Sequence, residues 1–333
     1  MHDFSDVIGQ DAVKEHLLRA VESDRVSHAY LLIGENGMGK EEIADAFAKM
    51  LLCEKNPLHP CGVCHACVQV DAGTHPDAVH VTHEKPNSIG VDEVRDQLAA
   101  EIMIRPFSGK RRIFIVPDAE KMTQQAQNAL LKTIEEPPDY AVILLLTESE
   151  EALLETVRSR CVKLKFRPVP KEVLTRALME RFGVSRGEAV LAAEFARGVA
   201  GRAKEMVLSV EFRQRCEETL SLLFSLPEEG AEKIPGDISK IEEWYPDLMD
   251  FLDFVRMYFR DLLLLKSDPR SKNVIFAGNE ERLIQASRDL SPERAGKALE
   301  ETERTVDRLR ANVNADLSLA LLLEAVRMSR TKG

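Results

Sequence analysis

A glycine-rich segment, Gly34-Glu35-Asn36-Gly37-Met38-Gly39-Lys40-Glu41, has the spacing of a phosphate-binding loop. In such a loop, backbone N–H groups and the first turn of a helix surround the phosphate oxygens, and a lysine reaches the terminal phosphates. The apolar run 29–33 precedes the segment and an amphipathic pattern over 43–51 follows it, so a strand and a helix flank the loop as the motif requires. The sequence therefore predicts a nucleotide site formed by Gly34, Gly37, Gly39 and Lys40.

Two positions that should hold Mg²⁺ at such a site carry the wrong residues. Glu41 stands where a Ser or Thr hydroxyl normally contacts the metal, and it adds negative charge beside the phosphates. Pro117 follows the apolar run 113–116, where an acidic residue is expected, and Asp118 comes one place later. Because strand side chains alternate between faces, Asp118 is not expected to substitute. We therefore expect no ATP hydrolysis, and ATP binding through Lys40 that is weak or absent.

Four cysteines lie close together in the pattern C-x7-C-x2-C-x2-C. Two-residue gaps allow tight turns to direct several thiolates at one tetrahedral Zn²⁺, and four thiolates leave no open position for catalysis. The sequence predicts a structural zinc site at Cys53, Cys61, Cys64 and Cys67. One of His59, His65 or His75 could replace a cysteine ligand. Cys161 and Cys216 are expected to be buried thiols.

The elements that must position these residues form two patterns. Up to about residue 166, apolar strand-like runs such as 113–116, 141–146 and 162–166 alternate with helical spacings, which indicates a parallel sheet covered on both faces. Beyond the break at 167–170 the chain is predicted to be helical over 173–181, 186–197, 204–226, 246–266 and 292–330. The pattern predicts an α/β nucleotide-binding domain, a small helical domain and a helical carboxy-terminal domain.

Length and charge limit the function classes. With 333 residues, two or three domains are expected. The net charge of −11 repels phosphate, so any contact with DNA requires a local basic patch. No signal peptide and no uncharged run of membrane-spanning length is recognisable, so we expect a cytoplasmic protein with no membrane partner and with reduced cysteines.

Several motifs, in order along the chain, resemble those of the bacterial DNA polymerase III clamp-loader family. They are Phe4 to Gln10, His28-Ala29-Tyr30, the cysteine insertion, Asn128 to Pro138, and Ser159-Arg160-Cys161. The resemblance covers the first two domains. It implies an AAA+ domain over 1–166 with a zinc insertion over 53–67, a small helical lid domain over 167–208, and a helical collar, or oligomerisation, domain over 209–333.

The resemblance also implies a role in DNA replication. In that family the gamma and tau subunits are working ATPases, and the residues at 41 and 117 make this chain resemble a subunit that does not hydrolyse ATP. The implied partners are the gamma, tau and delta subunits, the sliding clamp, and primer-template DNA within the assembled complex. Arg160 would act in trans, reaching the ATP site of a neighbouring subunit, with Arg158 as the competing candidate. Thr147 and Arg202 match sensor positions and are expected to be structural remnants.

Two other functions remain open at this point. One is an active AAA+ ATPase that hydrolyses ATP despite Glu41 and Pro117. The other is a zinc-dependent DNA-binding protein, suggested by a set of basic residues. The alternative interpretation of these residues is that they are solvated surface charges. The residues are Lys110, Arg111, Arg112, Arg158, Arg160, Lys163, Lys165 and Arg167.

Overall fold

A computed structural model describes residues 4–83, 85 and 87–330 of the protein. The chain forms two compact units. The first comprises the residues up to Leu174 together with Gly198–Arg202, and the second comprises Thr175–Arg197 and the residues from Ala203 onward. The three-part division, with boundaries at 167 and 209, stays a prediction.

The first unit is built on a five-stranded parallel sheet. Its strands are β1 (Ala29–Ile33), β2 (Ala78–His80), β3 (Arg112–Val116), β4 (Ala141–Thr147) and β5 (Val162–Lys165), in the spatial order β2-β3-β4-β1-β5. Strands β3 and β4 are buried along their whole length, as expected for a sheet covered on both faces. Strand β5 lies at the edge, where Lys163 and Lys165 alternate outward into solvent.

Helices cover both faces of this sheet. They are α1 (Asp11–Glu22), α2 (Lys40–Leu52), α3 (His65–Asp71), α4 (Val91–Val94), α5 (Gln124–Glu135) and α6 (Glu155–Arg158). Helix α4 continues into a π-helix, Arg95–Ala100, and a 3₁₀ turn, Glu101–Met103. Alternate residues of β4 enter two separate hydrophobic cores: Val142 and Leu144 pack on the face that carries α2, and Ile143 and Leu145 pack on the face that carries α5.

The remaining helices run from α7 to α15. They are α7 (Lys171–Phe182), α8 (Arg186–Phe195), α9 (Ala200–Leu208), α10 (Val210–Ser225), α11 (Ile234–Trp244), α12 (Leu248–Ser267), α13 (Glu280–Asp289), α14 (Pro292–Arg310) and α15 (Ala315–Met328). The core of the second unit is centred on α12, whose Phe251, Phe254, Val255 and Phe259 are fully buried.

Two helices predicted as continuous are interrupted. The segment 204–226 divides at Ser209, whose hydroxyl accepts from the N–H of Phe212 and starts α10. The segment 292–330 divides at 311–314, where Asn312 has a φ of 54° and Asn314 caps α15. Apolar periodicity continues across both breaks and therefore concealed them. Helices α11 and α13 were not predicted.

The predicted architecture is confirmed: an α/β domain with a parallel sheet and a cysteine-bearing insertion precedes an all-helical region. Within the described part of the chain, no helix combines the length and apolar character needed to span a bilayer.

Candidate functional site

The predicted phosphate loop joins β1 to α2. Gly37 and Gly39 have φ values of 80° and 90°, which side chains rarely allow, so the two glycines make the loop conformation possible. Lys40 is only 8% exposed, and its Nζ donates to the carbonyl oxygens of Gly34 (2.5 Å) and Glu35 (3.1 Å). Burial lowers the pKa of Lys40, and the carboxylate of Glu148 acts in the opposite direction. The lysine is therefore folded back onto its own loop.

Acidic groups surround this loop. Burial, and next the charge of Glu42, raise the pKa of Glu41. Asp45, one turn further along α2, lies 3.2 Å from Nε2 of His80 on β2. The position at which a Ser or Thr hydroxyl would meet a metal is thus occupied by a carboxyl group inside a cluster of like charges, which disfavours an incoming triphosphate.

The end of β3 places Asp118 differently from the sequence argument. Strand β3 ends at Val116, and Asp118 has a φ of 49°, so the alternation of strand side chains no longer applies to it. Its carboxylate accepts from Nζ of Lys121 at 2.8 Å, and its charge acts to raise the pKa values of both Lys40 and Glu41. Asp118 therefore belongs to the acidic surroundings of the loop.

A second glycine segment lies directly on the phosphate loop. The N–H of Gly201 donates to the carbonyl oxygen of Gly37 at 2.7 Å. A Cβ at Gly201 would approach the backbone of Gly37 to within 2.8 Å, so only glycine permits this contact. The sequence analysis did not predict this closure, although glycines at 198 and 201 were a signal for a close backbone approach. Arg202 follows on α9, which places it beside the loop.

Thr147, the other predicted sensor position, is fully buried. Its hydroxyl donates to the carbonyl oxygen of Ser149 at 2.9 Å and accepts from the N–H of the same residue at 3.2 Å. These two bonds close the turn after β4.

The structure brings the four predicted cysteine ligands together. Their sulfur atoms all lie within 4.8 Å of one another, and they are the members of a cluster that could hold a metal ion. Cys53 ends α2, Cys64 caps α3 and Cys67 lies on α3, while the N–H of Cys64 donates to the sulfur of Cys61 at 3.3 Å. His75, one of the alternative ligands, is buried and accepts from the N–H of Asp77.

The pKa values of these thiols are consistent with binding of a cation. Burial acts to raise the pKa of Cys53, but the N–H groups of Asn56 and Cys61 outweigh it and lower the value to about 6. Burial raises the pKa of Cys67 to about 12. Four adjacent thiolates repel one another, so full ionisation needs a positive ion between them. The residues present fit a tetrahedral soft metal such as zinc.

Arg160 lies on the exposed turn between α6 and β5. Its Nη1 donates to the carbonyl oxygen of Thr156 at 2.9 Å, and its Nη2 lies 2.9 Å from Oε1 of Glu135. Its side chain remains 39% exposed. The contact with Glu135, the last residue of α5, had no signal in the sequence. The competing Arg158 is half-buried, so Arg160 is the more accessible of the two.

Strand register separates Arg160 from the phosphate loop of its own chain. Tyr30 pairs with Val162 and Ile33 pairs with Lys165 in the parallel ladder. Arg160 is therefore level with His28, before β1, whereas Gly34 follows β1. Six residues of extended strand span about 20 Å. The arginine lies at the amino end of the strands and the loop at their carboxyl end, so Arg160 is remote from its own loop.

Most basic residues proposed for DNA binding have carboxylate partners. Arg112 is buried and lies 2.5 Å from Oε2 of Glu101, while Lys163 and Lys165 both contact Glu150. Arg111 lies 3.6 Å from Asp24. These pairs neutralise much of the positive field that DNA binding by the isolated chain would need.

Comparison with known proteins identifies related sequences. A family model described as DNA polymerase III, delta subunit, matches residues 9–170. The chain is 29% identical over 323 residues to the DNA polymerase III subunit delta' of Bacillus subtilis, which covers 92% of both sequences.

Similarity extends to subunits of the tau type. The chain is 27% identical over 320 residues to DNA polymerase III subunit tau of B. subtilis, covering 90% of this chain and 56% of that relative. It is 36% identical over 189 residues to DNA polymerase III subunit gamma/tau of Mycobacterium tuberculosis, covering 56% of this chain and 32% of that relative. The chain thus spans about half or less of these longer relatives. The phosphate loop, the cysteine cluster and the arginine turn accompany these similarities, and the chain as a whole is similar to delta' and gamma/tau subunits of DNA polymerase III.

Proposed function

We propose that this chain is a delta'-type subunit of the clamp loader. In this role it does not hydrolyse ATP, helps to load the sliding clamp on primed DNA in the cytoplasm, and assembles with gamma or tau and with delta. The match to a delta' relative extends over nearly the full length of both sequences, which supports this assignment over a tau-type subunit. The inward-turned Lys40 and the carboxyl group of Glu41 support a site with weak or absent ATP binding.

The position of Arg160 is the observation that carries the proposal. It lies about 20 Å from the phosphate loop of its own chain by strand register, so its guanidinium can serve only a site outside that loop. Two acceptors hold the guanidinium, and several of its five N–H donors stay available. An always-charged planar group of this kind is suited to stabilise charge on the phosphoryl group being transferred in a neighbouring ATPase subunit.

Reconstitution tests this role. In a complex with gamma or tau and delta, Arg160→Ala should slow ATP hydrolysis at the adjoining site by about 100-fold or more, because a trans-acting arginine contributes at least that much. DNA-stimulated ATP turnover, counted per complex before steady state, measures the effect. Arg288→Ala, an exposed arginine on α13, is the matched control, and Arg158→Ala tests the competing residue. Unchanged turnover with Arg160→Ala would eliminate the trans-acting role.

An ATPase assay of the isolated chain tests the proposed absence of ATP hydrolysis. We expect no turnover of Mg-ATP, because both metal-holding positions are altered. Turnover that Lys40→Ala abolishes would instead identify an active AAA+ ATPase.

A further inference from the structure

An acidic groove lies between α10 and α11 in the second unit. Its volume is about 730 Å³. Four carboxylates line it, together with the ammonium groups of Lys233 and Lys240, so negative charge is in excess. The carboxylates belong to Glu218, Glu229, Glu232 and Asp237.

Asp237 is the unusual member of this set. Its side chain is 7% exposed, and its Oδ1 accepts from Nζ of Lys240 at 3.0 Å. Its Oδ2 is buried and receives no hydrogen bond from any residue that the structure describes. Since buried carboxylate oxygens are normally paired, this oxygen lacks one donor. The charge of this buried carboxylate is therefore only partly compensated, and a cation that enters the groove beside Asp237 would compensate it further.

The two lysines that line the groove do not fully compensate this carboxylate. Lys240 remains 56% exposed while it contacts the other oxygen of Asp237, and Lys233 is engaged with Glu229 at 3.3 Å. Glu218 accepts from the neutral amide of Gln214. With two lysines for four carboxylates, the lining of the groove keeps an excess of negative charge.

The carboxylates are not arranged to chelate a metal ion. Within the described residues, the group that could surround a metal consists of the four cysteines. An organic cation, whose charge is spread over several N–H donors, suits separated carboxylates better. Trp244 lines the same groove, and indole rings attract ammonium and guanidinium groups.

The groove also has room for a peptide backbone. Gly236 lies next to Asp237 on its wall, and a Cβ at this position would meet no atom within 4 Å. Leu222 adds an apolar surface that the carbon stem of a lysine or arginine can cover. We propose that the groove between α10 and α11 binds a basic peptide segment, with a lysine or arginine side chain placed beside the under-compensated carboxylate of Asp237.

Trp244 provides a local probe because it is the only tryptophan in the sequence. A short oligolysine peptide added to the full chain should change the Trp244 emission in a saturable manner. Asp237→Asn keeps the shape of the side chain and removes its charge, and we expect it to weaken binding by about tenfold or more. Glu243→Gln, on an exposed residue of the same helix outside the groove, is the matched control and should keep the affinity within about twofold.

A second variant tests occupancy without removing charge. Gly236→Leu should block the peptide while leaving the helix intact, because leucine favours helices more than glycine does. No saturable change in emission, or equal affinities for Asp237→Asn and Glu243→Gln, would overturn the proposal. Spermidine binding as tightly as the peptide would also overturn it, since a small polyamine would then explain the groove. These outcomes are independent of the role of Arg160, which is measured by ATP turnover.

Discussion

At the scale of single residues, hydrogen bonds decide what each predicted group can do. Lys40 and Arg160 are both basic candidates for phosphate binding, yet one is buried on its own loop and the other is held at an exposed turn. Residue type alone predicts that both side chains prefer to bind phosphate. The environment separates them, because a buried ammonium already bonded to carbonyl oxygens must lose those bonds before it can meet a phosphate.

His80 provides a pH-dependent test of the region around Glu41. The contact with Asp45, whose Oδ1 lies 3.2 Å from Nε2, is the main cause that raises the pKa of His80. Because the folded pKa exceeds the unfolded value of about 6.5, this pair stabilises the fold below that pH and the contribution is lost as pH rises through the folded pKa. Asp45→Asn should therefore lower the free energy of unfolding more at about pH 5.5 than at about pH 8.5.

The expected difference between the losses of unfolding free energy at the two pH values is small. Both side chains are about one-third exposed, so solvent screening limits the effect to less than about 1 kcal/mol. Urea unfolding at the two pH values measures it, with Asp96→Asn as an exposed control. Equal losses at both pH values would show that Asp45 does not stabilise the imidazolium.

At the scale of elements, the insertion between α2 and β2 depends on its cysteine cluster. Two further links join α2 and α3: the buried ammonium of Lys49 contacts Asp71 at 2.7 Å, and Ala66 and Val70 pack in the same hydrophobic core as α2. Seven residues of α3 cannot form a stable helix alone, so metal binding should contribute to the order of this segment.

Removal of the metal should expose four thiols. We expect the purified protein to contain one zinc ion per chain, and a chelator to lower the melting temperature. After chelation the insertion should lose its order, and with it the burial that raises the pKa of Cys67, so a thiol reagent at about pH 8 should modify all four of its cysteines. Cys161 and Cys216 stay in folded cores, where burial raises their pKa values to about 12 and keeps them protonated.

Two variants sharpen this experiment. Cys64→Ala should lose the metal, whereas Cys161→Ala should retain it. Full zinc content in Cys64→Ala, or no zinc in the wild-type chain, would contradict a site formed by the four cysteines.

At the scale of the whole molecule, charge sets the conditions for contact with DNA. The net charge is −11, and several basic residues on the first unit are paired with carboxylates. The isolated chain should therefore show no specific duplex binding at about 0.15 M salt, and chelation should not alter this result. Fluorescence anisotropy with labelled primer-template DNA measures it, and the reconstituted complex is the positive control. Salt-sensitive binding by the isolated chain that disappears on chelation would instead support a zinc-dependent DNA-binding protein.

The local structures follow directly from consecutive residues. The glycines and Lys40 defined a loop between a strand and a helix, the cysteine spacing defined a cluster, and unbroken apolar runs defined a parallel sheet. Each of these signals extends over a few consecutive residues, where backbone geometry and side-chain periodicity act directly. The breaks at Ser209 and Asn312 were not predicted, because the apolar pattern resumes beyond them.

Contacts between distant segments follow from tertiary packing. Gly201 closes on Gly37, Glu135 holds Arg160, and strand pairing places that arginine at the end of the strands opposite the phosphate loop. The left-handed turn at Asp118 and the unpaired oxygen of Asp237 were likewise not predictable from the sequence. These features depend on contacts between elements far apart in sequence, and burial and hydrogen bonding at such contacts have no periodic signal along the chain.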